Sequence, residues 1–144
     1  VDNVNIPVIG GGGIVDRRTY QAVMSLGASG AVIGTRLMLS EECPIHKNVK
    51  LALLKANELD TEVVMQSVGF AHRIWKNHAA EQIIEIENRK GTIQEIYPWA
   101  SGKAAKQMYD TGELENGTIS CSQAISLIHS IMPVNDIIAE IVSD

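Results

Sequence analysis

The chain has 144 residues, a formal net charge of −5 and 45% hydrophobic residues, which fits roughly one soluble globular domain. Its mild acidity and the lack of a basic stripe argue against nucleic acid as the main partner. No apolar run approaches the ~20 residues of a transmembrane helix and no signal peptide is recognised, so no membrane partner is expected. Cys43 and Cys121 fit no metal or redox spacing, which predicts no metal site and reduced thiols in a cytoplasmic protein.

The first predicted elements form a strand, a helix and a second strand. The apolar run at residues 6–9 predicts a buried strand that stops at four glycines, residues 10–13. Asp16 is predicted to cap a helix that ends at Gly27, and residues 31–33 predict the second strand, which stops at Gly34. The apolar stripe of this helix is Tyr20, Val23 and Met24. A βαβ unit of this length predicts two parallel neighbouring strands.

The chain starts with Val1, only a few residues before a predicted core strand and without an initiator Met. We therefore expect it to be part of a longer protein. Two parallel strands cannot cover both of their faces, so we also expect a large exposed apolar surface unless another segment covers it.

The rest of the chain is expected to be mostly helical. The apolar spacing predicts helices at about 46–58, 77–89, 101–109, 124–131 and 134–141, and residues 61–68 favour a strand or extended segment. The fourth of these helices is expected to break at Pro133. Residues 57–116 are more polar than their neighbours, which indicates a small appended subdomain.

Glycine at the carboxyl ends of both predicted parallel strands is the pattern that carries chemistry. At residues 10–13 and again at Gly34, the absence of side chains lets main-chain N–H groups approach a ligand closely. The Thr35 hydroxyl adds a donor, and the helix after the first turn adds its positive end. Two such turns side by side predict an anion cradle, and Arg36 could add Coulomb attraction or pair with a carboxylate.

Other interpretations of the glycines are weaker. Four glycines alone also fit a mobile loop, although the second turn at Gly34 and Thr35 lowers the weight of that reading. A dinucleotide fingerprint would need glycine where Val15 or Asp16 stands, and no Walker lysine follows.

Several stretches together resemble the FMN-dependent nitronate monooxygenases and the similar flavin-type enoyl-acyl-carrier-protein reductases. They are IPVIGGGGI at 6–14, GA at 27–28, AVIGTR at 31–36, EEC with His at 41–46, GEL at 112–114 and GTISCSQ at 117–123. The first motif is shared with other phosphate-binding barrels, including inosine-monophosphate dehydrogenases, and the continuation from Gly34 to His46 favours the flavin family. The family usually has glycine where this chain has Ser122 and Ser126.

The resemblance implies an α/β fold, namely the C-terminal part of a TIM (β/α)₈ barrel, about strands 7–8 plus trailing helices, with a small appended helical subdomain. Residues 1–56 would be the barrel segment with the phosphate-binding loops, residues 57–116 a mostly helical subdomain, and residues 117–144 helices that pack back on the barrel. The implied cofactor is FMN. Its phosphate contacts fall on Gly12, Gly13, Val32, Ile33, Gly34 and Thr35.

The implied activity is FMN-dependent oxidation of alkyl nitronates with O₂, with the missing N-terminal barrel half as a partner. The catalytic histidine of the family lies in that half, so no catalytic residue is assigned, and the histidines of this chain are expected to be structural or exposed. A flavin-dependent enoyl reductase acting on an enoyl thioester is the alternative. A non-catalytic phosphate-binding or assembly module, a barrel that binds a substrate phosphate, and a homo-oligomeric state stay open.

Overall fold

The computed structural model describes residues 1–143. The strands are β1 (Ile9–Gly11), β2 (Gly30–Val32), β3 (Thr61–Val64) and β4 (His72–Trp75). The helices are α1 (Arg17–Ser25), α2 (Thr35–Met38), α3 (Lys47–Lys55), α4 (His78–Asn88), α5 (Ile93–Ala100), α6 (Gly102–Thr111) and α7 (Val134–Val142), with 3₁₀ turns at Glu58–Asp60 and Gln123–Leu127. Asp144, the last residue of the C-terminal segment predicted at 117–144, lies outside the described residues. Within the described part, no helix is long and apolar enough to cross a membrane.

The predicted βαβ unit is present, and its two strands are parallel. β1 pairs with β2 in a register that places Ile9 opposite Gly30 and Gly11 opposite Val32. β1 begins at Ile9, whereas the predicted apolar run begins at residue 6. Pro7 has no N–H to donate, while the glycine backbone still pairs with β2. The predicted cap is confirmed, since the Asp16 carboxylate accepts a hydrogen bond from Thr19 N at 2.9 Å.

A second, antiparallel sheet follows and includes a strand that the sequence did not predict. β3 pairs with β4, with Val64 opposite His72, inside the range that was expected to be mostly helical. The segment 119–121 runs beside β4 as an antiparallel strand of a single bridge, with Ser120 paired to Ile74 and Trp75 N donating to Ile119 O at 2.8 Å. This pairing joins β4, which lies within residues 57–116, to the C-terminal segment 117–144.

Two apolar clusters form the core. The first joins α2, α3 and α6 to the C-terminal segment, and the second joins β3 and β4 to α4 and α5. Buried members of the first are Val15, Leu39, Val49, Leu53, Met108, Ile119, Cys121, Ile125 and Ile128. Those of the second are Val64, Ile74, Ala80, Ile83, Ile86 and Ile96.

The C-terminal segment corrects one helix prediction and confirms another. The helix expected at 124–131 is only a short 3₁₀ turn, and Ile128 is already extended, with φ −101° and ψ 115°. Ile125 and Ile128 are nevertheless buried, so a 3₁₀ turn and an extended stretch satisfy the same apolar spacing. The next residues bridge to α2 through the pair Ser40–Met132, and the predicted last helix is present as α7.

Candidate functional site

A cavity of about 520 Å³ lies between the two glycine turns and the first residues of β4. It is lined by Gly12, Gly13, Ile14, Val15, Val32, Gly34, Thr35, Met38, His72, Arg73, Ser120, Cys121 and Ser122. Five of the six residues expected at the flavin phosphate therefore surround one space, whereas Ile33 is not among the lining residues. The parallel register of β1 and β2 brings the two turns together, because the carboxyl ends of both strands meet at the same edge.

Glycine is favoured in the first turn by backbone conformation rather than by lack of space. Gly12 and Gly13 have φ of +90° and +72°, a region that side-chain-bearing residues rarely adopt. A Cβ at Gly12, Gly13 or Gly34 would meet no atom within 4 Å. Side chains there would extend into the open space at the turns rather than into the protein interior.

Main-chain N–H groups at these turns are available for a ligand. Within residues 1–143, the amides of Gly13, Ile14, Gly34 and Thr35 donate no hydrogen bond to another protein group. Main-chain donors of this kind are normally paired with protein or solvent. Four of them around one cavity can bind an anion that has several acceptor oxygens.

The Thr35 hydroxyl is positioned by the segment on the other side of the cavity. Thr35 Oγ1 accepts a hydrogen bond from Ser122 N at 2.9 Å. The hydroxyl proton donates to no other group among the described residues, so it is free to donate to a ligand. This contact ties the second glycine turn to the segment 119–122.

The amino end of α1 contributes less to the cavity than the sequence suggested. Asp16 Oδ1 accepts a hydrogen bond from Thr19 N in the first turn of α1, and the Thr19 hydroxyl accepts from Val15 N just before the helix, so these two amides are already paired within the protein. Burial raises the pKa of Asp16, but hydrogen bonds from Thr19 and Arg18 outweigh it and leave this pKa below its usual value. Arg18 binds Asp16 Oδ2 at 2.6 Å, which offsets a negative charge close to the first turn.

Arg36 lies in the structural core instead of the cavity. Its side chain is 4% exposed and donates to Ser130 O at 3.0 Å and to Met132 Sδ at 3.1 Å. Burial lowers its pKa, an effect that the Glu140 carboxylate opposes. Neither role expected for Arg36 is seen among the described residues, because it does not line the cavity and its hydrogen bonds go to a carbonyl and a thioether rather than to a carboxylate. Arg36 instead fixes the C-terminal segment to α2.

The opposite wall of the cavity comes from β4 and the strand beside it, which the sequence did not place here. His72 Nε2 lies 2.8 Å from Ser120 Oγ, and Arg73 donates to Thr61 Oγ1 at 2.9 Å. Burial raises the pKa of the Cys121 thiol to about 11, against the opposing effect of the Arg73 guanidinium. The signal in the sequence was the adjacent pair His72-Arg73, but only sheet pairing brings it to the glycine turns.

The electrostatics of the cavity suit an anion. Among residues 1–143, no acidic residue lines the cavity, although the chain as a whole carries a net charge of −5. Arg73 supplies a positive charge, and the free amides supply partial positive charges, on adjoining walls. The residues therefore fit the phosphate group that the resemblance implied.

The remaining histidines lie outside the cavity. His46 caps α3, with Nδ1 accepting from Asn48 N at 3.1 Å, and His78 packs edge-on against Trp99 with ring centroids 5.5 Å apart. His129 is exposed. Across residues 1–143, no group of three or more His, Cys, Asp or Glu side chains is arranged to hold a metal ion.

Comparison with known proteins gives concordant results. The family model described as nitronate monooxygenase matches residues 1–144. A probable nitronate monooxygenase of Bacillus subtilis (strain 168) is 39% identical over 106 residues, which are 74% of this chain and 30% of that protein.

Among solved structures, FabK from Thermotoga maritima superposes with a TM-score of 0.87 and 34% identity, over 96% of this chain and 43% of FabK. Nitroalkane oxidase from Streptomyces ansochromogenes superposes with a TM-score of 0.73 at 19% identity, over 97% of this chain and 39% of that one, which is a likeness of fold. The chain spans less than half the length of each of these proteins. With a family match over its whole length, this chain belongs to the nitronate monooxygenase family.

Proposed function

We propose that the chain is the C-terminal part of an FMN-dependent oxidoreductase with a (β/α)₈ barrel, and that it binds the phosphate of FMN. In this proposal residues 1–56 supply the last barrel strands, residues 57–116 form an appended subdomain, and residues 117–144 pack back on the barrel. The N-terminal barrel half would cover the exposed apolar side chains of β1 and β2. Ile9 is 54% and Val32 is 62% exposed in this chain.

The single observation that carries the proposal is the cavity, which has unpaired main-chain N–H groups and no acidic side chain among its described lining residues. A phosphate monoester has a charge near −2 and several acceptor oxygens, so it can accept from both glycine turns at once. Gly12, Gly13, Gly34 and Thr35 would hold the phosphate, and Val32 and Ile33 would set the position of the second turn.

The proposed reaction is the oxidation of an alkyl nitronate by O₂ to a carbonyl compound and nitrite. FMN, when bound, supplies the electron-transfer chemistry of this reaction. This chain supplies orientation, because anchoring the phosphate fixes one end of the cofactor relative to the barrel. The catalytic base is assigned to no residue of the chain.

Replacing Gly34 with Val tests the phosphate site in the intact protein. Gly34 does not have positive φ and its Cβ would meet no atom within 4 Å, so the substitution adds bulk at the second turn without backbone strain. We expect the loss of nearly all bound FMN, measured by the visible absorption of the purified protein. Gly102→Val is the matched control, because Gly102 also has open space and no positive φ but lies outside the cavity.

The control variant should retain FMN at the level of the unmodified protein. Full flavin occupancy in Gly34→Val, with both variants folded, would contradict the placement of the phosphate. An intact protein that binds no FMN at all would contradict the proposed function as a whole.

A flavin-dependent enoyl reductase is the second candidate, and the similarity to FabK at 34% identity favours it. The two candidates differ in their substrates. A nitronate monooxygenase releases nitrite from a nitronate and O₂, whereas an enoyl reductase consumes NAD(P)H in the presence of a crotonyl thioester. Assaying both reactions with one flavin-loaded preparation decides between them.

A non-catalytic phosphate-binding or assembly module predicts neither reaction and a colourless protein that still binds nucleotide. A barrel that binds a substrate phosphate predicts competition by phosphorylated metabolites with no flavin absorption. The oligomeric state is independent of these outcomes, and a homo-oligomer is compatible with each.

A further inference from the structure

The wall of the cavity opposite the glycine turns carries a histidine that the proposed function has not used. His72 begins β4, is half-buried, and lines the same cavity as Gly13 and Gly34. Its Nε2 lies 2.8 Å from Ser120 Oγ on the neighbouring strand. The ring is therefore held by a neighbour on its own sheet while it borders the cavity.

A short, continuous connection joins this histidine to the second glycine turn. In the segment 119–122, Ile119 and Cys121 are buried in the core, so Ser120 and Ser122 lie on the other face of the strand. Ser120 contacts His72 and Ser122 N donates to Thr35 Oγ1 at 2.9 Å. Residues two apart in a strand are separated by about 7 Å, so this segment places the His72–Ser120 pair close to the turn.

The His72–Ser120 pair keeps a proton to donate whatever its protonation state. If Ser120 Oγ donates to Nε2, the ring carries its proton on Nδ1 and that N–H is free. If Nε2 carries the proton and donates to Ser120 Oγ, the serine hydroxyl proton is free. A doubly protonated ring leaves both donors free and adds a positive charge.

We propose that the His72–Ser120 pair is a specificity-determining contact for the phosphate group, in addition to the main-chain turns. This inference rests on the proposed function. The pair would donate to the phosphate from the sheet side of the cavity, with the Arg73 guanidinium nearby as a source of positive charge. It would thereby favour phosphorylated flavin over the same flavin without phosphate.

The test compares the binding of FMN and riboflavin to the intact apoprotein by quenching of flavin fluorescence. The His72→Ala variant is expected to raise the Kd for FMN roughly ten-fold, because hydrogen bonds to a charged group are among the strong ones. The Kd for riboflavin should stay unchanged, since riboflavin has no phosphate. Ser120→Ala should likewise raise the Kd for FMN and leave the Kd for riboflavin unchanged.

Two further variants separate a contact with the ligand from a role in folding. His72→Gln keeps a side-chain N–H donor, so its Kd for FMN is expected within about three-fold of the unmodified protein. His78→Ala removes a histidine that packs on Trp99 outside the cavity, and neither flavin should bind differently.

Several results would overturn the inference. Equal weakening of FMN and riboflavin in His72→Ala would show that the pair contributes only to the shape of the cavity. An unchanged Kd for FMN, with or without a raised KM for nitronate, would show that the pair does not contact the phosphate. In both cases the unmodified protein still binds FMN, whereas failure of the proposed function would abolish FMN binding in the unmodified protein as well.

Discussion

The parallel βαβ unit and the remainder of the chain bury their apolar side chains to very different degrees. α1 contains no buried residue, and Ile9 in β1 is 54% exposed. In the second sheet, by contrast, Ile74 and Val64 are fully buried against α4 and α5. The difference teaches that the part of the chain richest in ligand-binding features contributes least to its core. Parallel strands need cover on both faces, and in this unit the side chains of Ile9 in β1 and Val32 in β2 lack it.

The largest expected effect comes from replacing isoleucine with alanine in each of the two regions and comparing the losses of stability. Ile74→Ala is expected to lower the free energy of unfolding by about 2–5 kcal/mol, since it leaves a cavity in a fully packed site. Ile9→Ala in the 144-residue chain should change it by less than about 0.5 kcal/mol, because Ile9 is already mostly in solvent. Urea unfolding measures both values. Equal losses would mean that the exposed strand is packed in solution.

A smaller effect is expected at the one tight contact inside the βαβ unit. A Cβ added at Gly10 would overlap Val23 Cγ1 of α1, so Gly10→Ala should cost about 1–3 kcal/mol of unfolding free energy. The double variant Gly10→Ala with Val23→Ala removes the overlap. A double-mutant cycle should therefore give a favourable coupling of at least about 1 kcal/mol, and additive losses would contradict this packing.

The smallest effect concerns the loop that leads into β4. Glu87 of α4 accepts hydrogen bonds from Met65 N at 2.7 Å and from Ser67 N at 2.8 Å. Burial raises the pKa of Glu87, but the hydrogen bonds from Ser67 and Met65 outweigh it and leave this pKa below its usual value. The charged carboxylate is thus favoured by folding. We expect Glu87→Gln to cost about 1 kcal/mol at pH 7, given that Ser67 is exposed.

The pH dependence of this contribution has a definite sign. Because the folded pKa of Glu87 is depressed, its stabilisation is complete above the unfolded pKa of about 4.3 and is lost as the pH falls through the lower folded value. Urea unfolding should therefore show that the unmodified protein and Glu87→Gln differ in free energy of unfolding at pH 7 and become more similar at pH 3. A constant difference between them would exclude this carboxylate as the cause.

Local patterns in the sequence determined the βαβ unit and its two glycine turns. Asp16 was predicted as a cap because a short side-chain oxygen before an apolar stripe can accept from the first turn of a helix, and the structure confirms that bond. The parallel pairing of β1 and β2 followed from the short crossover. The cavity at Gly13 and Gly34 follows in turn, because parallel strands end at the same edge.

Only the tertiary structure decided the other wall of the cavity and the position of Arg36. His72 and Ser120 are 48 residues apart, and nothing local in either segment specifies that their strands pair. Arg36 follows Thr35 directly, yet its side chain reaches Ser130 O, 94 residues away, rather than the cavity. Short-range periodicity fixes how a segment buries its apolar side chains, whereas long-range strand pairing depends on which surfaces compete for the same core.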